Sequence, residues 1–172
     1  MSLWDPQVHD DLLNYQVKRI VKLGGAPAIR LCEGGFGITR SQWRLLAALV
    51  EDGPRSASGL AERCLMERAR TSRLLAPLVD QKLVERLVPE KSPARRTLLA
   101  ATGKGKDVYA RLFPQLANIN RRIVRVLSED EAALLESLLG RVFEQVKRIH
   151  AEGDGVAQRA DRWRGGRRQM AR

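Results

Sequence analysis

The middle of this chain changes hydrophobic period twice, and that pattern admits few folds. From Thr39 to Gln81 apolar residues recur at helical spacing in three successive segments. Two short apolar or β-branched runs follow, Leu83 to Pro89 and Thr97 to Ala101, on either side of the polar, basic stretch Glu90-Lys91-Ser92-Pro93-Ala94-Arg95-Arg96. Helical spacing then returns. Two short runs around such a tip predict a β-hairpin, and Pro93 suits a turn better than a ladder position.

The local punctuation sharpens the helices. Thr39 with Gln42 three residues on has the form of a capping box, and Trp43, Leu46, Leu49 and Val50 form the stripe behind it. Gly53-Pro54 ends that helix. Ser56 caps a short helix to about Cys64 that turns Leu60 and Ala61 inward. A third helix begins near Glu67 and runs to about Gln81, with Leu74, Leu75, Leu78 and Val79 inward. Pro77 lies inside it and predicts a bend that leaves the N-terminal turns straight.

Long amphipathic segments bracket this core. The first runs from about Val8 to Leu23, with Leu12, Leu13, Val17, Ile20 and Val21 on its stripe. Gly24, Gly25 and Pro27 weaken or kink it, leave Ala28–Cys32 as a short continuation, and are followed by a glycine-bearing loop, Glu33 to Ile38. A second segment covers about 103–126, with Pro114 predicting a kink or break. Ser128-Glu129-Asp130-Glu131 is a further capping box and opens a last helix to about Ile149, striped by Leu134, Leu135, Leu138, Leu139, Val142 and Val146. Stripes of this length call for a partner. The expected fold class is mainly α with a small β-hairpin, a helix-turn-helix followed by a wing.

Charge bounds the function. Lys and Arg number 31 against 20 Asp and Glu, a formal charge of +11. Such a surplus favours polyanions, nucleic acid or an anionic membrane, over a neutral partner, although it also serves solubility. Most of these cations are arginine, whose planar fork suits phosphates and guanine edges. No signal peptide and no membrane-length apolar run is visible, so a cytoplasmic protein with both thiols, Cys32 and Cys64, reduced is expected. The two cysteines and two histidines form no metal-ligand pattern, and no phosphate loop, nucleotide-binding glycine motif or nucleophile motif occurs. No enzyme, cofactor or metal site is expected.

The helix beginning at Glu67 carries the chemistry. Arg68, Ala69, Arg70, Thr71, Ser72 and Arg73 precede its large apolar residues. In a helix-turn-helix these turns enter the major groove, where arginine pairs with guanine, hydroxyls bond bases or phosphates, and a small alanine permits close approach. A solvated arginine face is the plain alternative. Lys91, Arg95 and Arg96 at the hairpin tip fit a minor groove or its phosphates. Ser58, near the start of the short helix, is a candidate phosphate contact beside the cap Ser56.

Taken together, Thr39-x-x-Gln42-Trp43-x-x-Leu46, Leu60-Ala61, Thr71-Ser72-Arg73-Leu74-Leu75, Leu83-Val84-Glu85-Arg86 and Leu98-x-x-x-Thr102-x-x-Gly105 resemble the MarR family of bacterial transcriptional regulators, over about residues 10 to 150. One departure is Pro93, where the family's wing usually carries an aspartate two residues before the arginine that Arg95 matches. The resemblance implies a winged helix-turn-helix domain over 1–150, with a DNA-binding core about 39–102 and dimerisation helices about 8–32 and 103–150, followed by a basic tail, 151–172, expected to be mobile. It implies a homodimeric repressor on a pseudo-palindromic operator of double-stranded DNA, released by a small aromatic acid or phenolic effector. Tyr15, Trp43, Arg44 and Tyr109 are candidate pocket residues, with a core anchor the plain alternative for Trp43 and solvent exposure for Arg44. A sequence-tolerant nucleic-acid scaffold and a protein-binding winged helix are the rival functions.

Overall fold

A computed structural model of the chain describes residues 2–87 and 97–153. The chain divides into two compact units, Met1–Ile123 and Val124–Arg172. The first holds a short 3-10 turn, His9–Asp11, then helices α1 (Leu13–Arg30), α2 (Arg40–Glu51), α3 (Ala57–Arg63) and α4 (Arg68–Asp80), strands β1 (Val84–Leu87) and β2 (Leu98–Ala101), and nearly all of helix α5 (Gly103–Val124). The second holds helix α6 (Glu129–Glu152).

Expected caps are in place. Thr39 Oγ accepts the Gln42 amide at 3.2 Å while Gln42 returns its carbonyl oxygen to the Thr39 amide at 2.7 Å. Ser56 Oγ accepts from the Gly59 amide at 3.1 Å and so starts α3. Ser128 and Glu131 exchange bonds of 2.8 and 3.2 Å at the start of α6. Each supplies a partner to amides that a helix leaves unpaired at its N-terminus.

The core of the first unit gathers Leu45, Leu46 and Leu49 from α2, Leu60 from α3, Leu75 and Leu78 from α4, Val84 and Leu99 from the hairpin, and Leu112 from α5. The strands pair antiparallel, Val84 opposite Ala101 and Leu87 opposite Leu98. Arg55, in the loop before α3, adds a one-residue third strand. Its amide donates to the Leu99 carbonyl at 3.0 Å and its carbonyl accepts the Leu99 amide at 2.8 Å. Residues 88–96 between the strands, including Lys91, Pro93, Arg95 and Arg96, lie outside the described residues, as does the tail after Gly153.

Several expectations need correction. Gly24, Gly25 and Pro27 do not interrupt the first helix, which starts later than Val8 and runs unbroken from Leu13 to Arg30. Gly25 is buried there, and a Cβ on it would strike the Arg40 guanidinium, so this glycine permits a close approach. Past Pro27 the ladder widens into a π-turn, Leu31–Gly35, which takes in the end of the expected continuation and the first three residues of the expected loop, Glu33 to Ile38. Pro114 lies inside α5, which continues ten residues beyond it to Val124, so of the expected kink or break the break is absent. Pro77 lies inside α4, which ends at Asp80, close to the expected Gln81. Proline costs a helix one backbone bond and crowds the previous turn, and both helices have packed faces to offset this.

Thr102 explains the junction of hairpin and helix. Its Oγ accepts from the Gly105 amide at 3.0 Å, capping α5, and donates to the Lys82 carbonyl at 2.7 Å. Gly105 is buried against the Leu83 carbonyl, where a Cβ would overlap the oxygen. The Thr-x-x-Gly spacing thus welds the base of the hairpin to α5.

The outer helices present uncovered apolar faces. Val17, Ile20 and Val21 of α1 are exposed, as are Leu134, Leu135, Leu138, Leu139, Val142, Phe143, Val146 and Ile149 of α6. Helix α6 buries no residue within the chain.

Candidate nucleic-acid interface

Helix α4 has two opposed faces. Leu75 and Leu78 enter the core, and Thr71 joins them with no exposed surface, its hydroxyl donating to the Glu67 carbonyl at 3.0 Å. Thr71 is therefore corrected from a DNA contact to a core residue: at i, i+4 and i+7 with Leu75 and Leu78, it shares their stripe. Arg68, Ala69, Arg70, Ser72 and Arg73 are exposed.

These arginines are weakly tethered. Arg70 reaches Ser41 Oγ at 3.4 Å, and Arg73 Nε reaches the Ala69 carbonyl, also at 3.4 Å. Arg68 lies 3.7 Å from Glu62, with both side chains about three-quarters exposed. Exposed pairs of this kind contribute little, so the guanidiniums are available to an external acceptor. The turn before α4 forces the approach: Leu65 sits in the left-handed region at φ 51°, and the Met66 amide closes onto the Ala61 carbonyl at 2.8 Å. Ser58 is exposed on α3, its hydroxyl 3.0 Å from that of Ser56.

The aromatic residues divide differently from expectation. Trp43 is 8% exposed and stacks on Tyr109, centroids 5.3 Å apart, and Tyr109 stacks in turn on Phe113 at 5.4 Å. The Tyr109 hydroxyl donates to Glu51 at 2.9 Å. Burial, and then that carboxylate, push its phenol above the ordinary value. Trp43 and Arg44 line a pocket of about 190 Å³ with Ala47, Ala48, Glu51, Arg63 and Cys64. Arg44 is exposed, but its guanidinium donates to the Cys64 carbonyl at 2.6 Å, bracing α2 against the end of α3. Tyr15 does not line this pocket; its ring rests on His9 at 4.1 Å and beneath Arg19 at 5.9 Å. Of the four candidate pocket residues, Trp43 and Arg44 line this pocket, Tyr109 does not line it but stacks on Trp43, and Tyr15 lies apart; Glu51 and Arg63 in the lining, and Phe113 stacked on Tyr109, were not anticipated. Phe113 stands four residues after Tyr109, a helical spacing that could have marked it.

Among the described residues no cluster of His, Cys, Asp and Glu could hold a metal ion, and no helix is long and apolar enough to cross a membrane.

Known proteins share this arrangement. Residues 36–96, from the loop before α2 through the hairpin tip, match the model of the MarR family. The HTH-type transcriptional regulator FarR of Neisseria gonorrhoeae is 30% identical over 105 residues, spanning 61% of this chain and 71% of that protein. The structure of S. aureus MepR bound to DNA superposes with a TM-score of 0.70 at 20% identity, over 81% of this chain and 99% of that one. NadR in complex with 4-hydroxyphenylacetate superposes with a TM-score of 0.67 at 23% identity, over 80% and 99%. With an exposed basic helix on a winged helix-turn-helix and a family match across its core, the chain belongs to the MarR family and is a DNA-binding transcriptional regulator, not an enzyme.

Proposed function

We propose that this regulator is a homodimeric repressor that reads a pseudo-palindromic operator with α4 and leaves it when a small aromatic acid or phenol binds. The observation that carries the reading is the two-faced α4: Arg68, Ala69, Arg70, Ser72 and Arg73 face solvent while Thr71, Leu75 and Leu78 lock the helix into the core. A rigidly held helix with weakly tethered arginines suits base-edge recognition. Lys91, Arg95 and Arg96 would add backbone or minor-groove contacts from the wing, and Ser58 a phosphate contact.

The homodimer is supported by the uncovered stripes of α1 and α6, since contiguous exposed apolar surface of this extent marks an interface. A two-fold dimer places two recognition helices on one face of DNA. The effector part is supported by NadR, whose structure holds 4-hydroxyphenylacetate. The pocket beside Trp43 offers a flat aromatic wall to such a ligand, with the Arg44 guanidinium at its edge already bonded to the Cys64 carbonyl. Its position between α2 and the end of α3 would let a ligand shift the reading head. A cytoplasmic location follows from the same function.

The charge of +11 favours one rival, a sequence-tolerant scaffold. Competition separates the two: a labelled operator is challenged with excess random DNA at physiological salt. A specific regulator keeps its operator against roughly a thousandfold excess, whereas a scaffold surrenders it in proportion to the competitor.

A further inference from the structure

The loop between α2 and α3 holds a charged knot that connects the helix pair to the wing. One oxygen of Asp52, Oδ2, lies 2.8 Å from Arg63 Nε and 3.2 Å from Arg55 Nη2. Arg63 is the last residue of α3. Arg55 is the residue whose amide and carbonyl both pair with Leu99 of β2. Asp52 is only 22% exposed at its side chain, and Arg55 Nε is buried without a hydrogen-bond partner, so the guanidinium is held chiefly through Nη2. Hydrogen bonding to Asp52, and then its charge, hold the Arg63 guanidinium above its ordinary pKa.

We propose that Asp52 is a positioning residue for DNA binding: a single carboxylate oxygen joins the end of α3 to the strand that carries the wing, so that helix pair and wing meet DNA as one body. This inference rests on the reading that both α4 and the wing contact DNA. In this role Asp52 acts through Arg55 and Arg63 and needs no contact with nucleic acid. A bidentate or shared arginine–carboxylate contact fixes geometry as well as adding attraction, and the Arg55 bridge to β2 is a single residue pair. Without the carboxylate, α3 and β2 keep their core contacts and the Arg55 backbone bridge but lose the charged tie between them, and the wing docks less often in register with α4.

The test is a double-mutant cycle on a selected operator. Asp52→Asn alone is expected to weaken binding about two- to thirty-fold, the range over which linking residues modulate distant sites. The discriminating readout is coupling. Arg95→Ala should cost less in the Asp52→Asn background than in the parent, because the wing is already misplaced. Arg70→Ala should cost the same in both, because α4 stays in its core seat. Hydrogen exchange at the Arg55 and Leu99 amides of the free protein should speed up in Asp52→Asn while the Leu75 and Leu78 amides do not change. If Asp52→Asn fails to fold, Arg63→Leu removes one arm of the knot, keeps an apolar stem, and should show the same selective coupling. An undiminished Arg95→Ala effect in either folded background, or unchanged exchange at Leu99, overturns the role of Asp52. If Arg95→Ala costs nothing even in the parent, the wing reading itself fails and the inference falls with it.

Discussion

Replacing Gly105 by alanine sets two opposing effects against each other in a way the structure decides. Alanine favours a helix interior over glycine by about 1 kcal/mol, so Gly105→Ala in an open helix would stabilise. Here the added Cβ would overlap the Leu83 carbonyl oxygen and lie 3.1 Å from Leu46 Cδ1. The side chain of Leu46 can yield by a rotamer adjustment, but the carbonyl cannot. Leu83 is pinned on both sides, its amide donating to the Leu78 carbonyl at 2.9 Å and its carbonyl accepting the Thr102 amide at 3.1 Å. Relief therefore requires α5 to lift from the hairpin base, and overpacking of a tight site costs about 1–3 kcal/mol. Since the obstacle is backbone, the upper part of that range applies, and subtracting the propensity gain leaves a net loss of about 1–2 kcal/mol. For a chain of this size that corresponds to a fall in Tm of about 2–8 °C. Thermal and urea unfolding at one fixed protein concentration would measure it, because an oligomer's apparent stability depends on concentration. Gly103→Ala is the control: nothing lies within 4 Å of its Cβ position in the first turn of α5, so its stability should hold or rise slightly. A Gly105→Ala protein as stable as the parent would refute the close approach of α5 to the hairpin.

Other perturbations probe the interface. Arg73→Ala and Arg70→Ala should each weaken operator binding by about 1–3 kcal/mol and relax base preference, measured by fluorescence anisotropy on matched and mismatched sites. Thr71→Val, which keeps the buried shape of Thr71, should leave DNA affinity unchanged; a loss comparable to Arg73→Ala would restore Thr71 as a contact. Leu138→Glu places a charge on the exposed stripe of α6 and should yield a monomer in sedimentation with greatly weakened operator binding, whereas an intact dimer would exclude α6 from the interface. Burial raises the thiol pKa of Cys32 and of Cys64, so both should resist maleimide in the folded protein near neutral pH and react on unfolding. A thiol that ionises later in the folded than in the unfolded chain adds stability that is complete below the ordinary thiol value and lost as pH rises through the folded one. Urea midpoints should therefore decline across that window, and the decline should shrink in a Cys32→Ser, Cys64→Ser double variant.

Local signals were the most legible in the sequence. Thr39-x-x-Gln42 and Ser128-x-x-Glu131 announce their helices because a capping box is complete within four residues. The hairpin was visible as a change of period, and its observed strands lie inside the expected runs. What failed required knowledge of the neighbours. Gly25 reads as a helix breaker until the Arg40 guanidinium is seen against it. Thr71 reads as a DNA contact because it stands among arginines, yet its position relative to Leu75 and Leu78 puts it on the buried face. Arg44 offered a cation for a ligand until the Cys64 carbonyl, twenty residues away, was found to take it. The third strand at Arg55 is one residue long and has no sequence period at all. Tyr15 was grouped with Trp43 and Tyr109 by chemistry alone; its own neighbours are His9 and Arg19.

The most direct test of a dimer reading DNA through α4 is selection of bound sequences from a random double-stranded pool, using the purified full chain at physiological salt. The expected result is an enriched palindrome whose half-sites lie about one helical turn apart, some 10 base pairs centre to centre, and whose enrichment disappears with Arg73→Ala. Tight, salt-sensitive retention of DNA with no enriched sequence would contradict operator recognition and leave the chain's positive charge, rather than the placement of α4, as the source of binding.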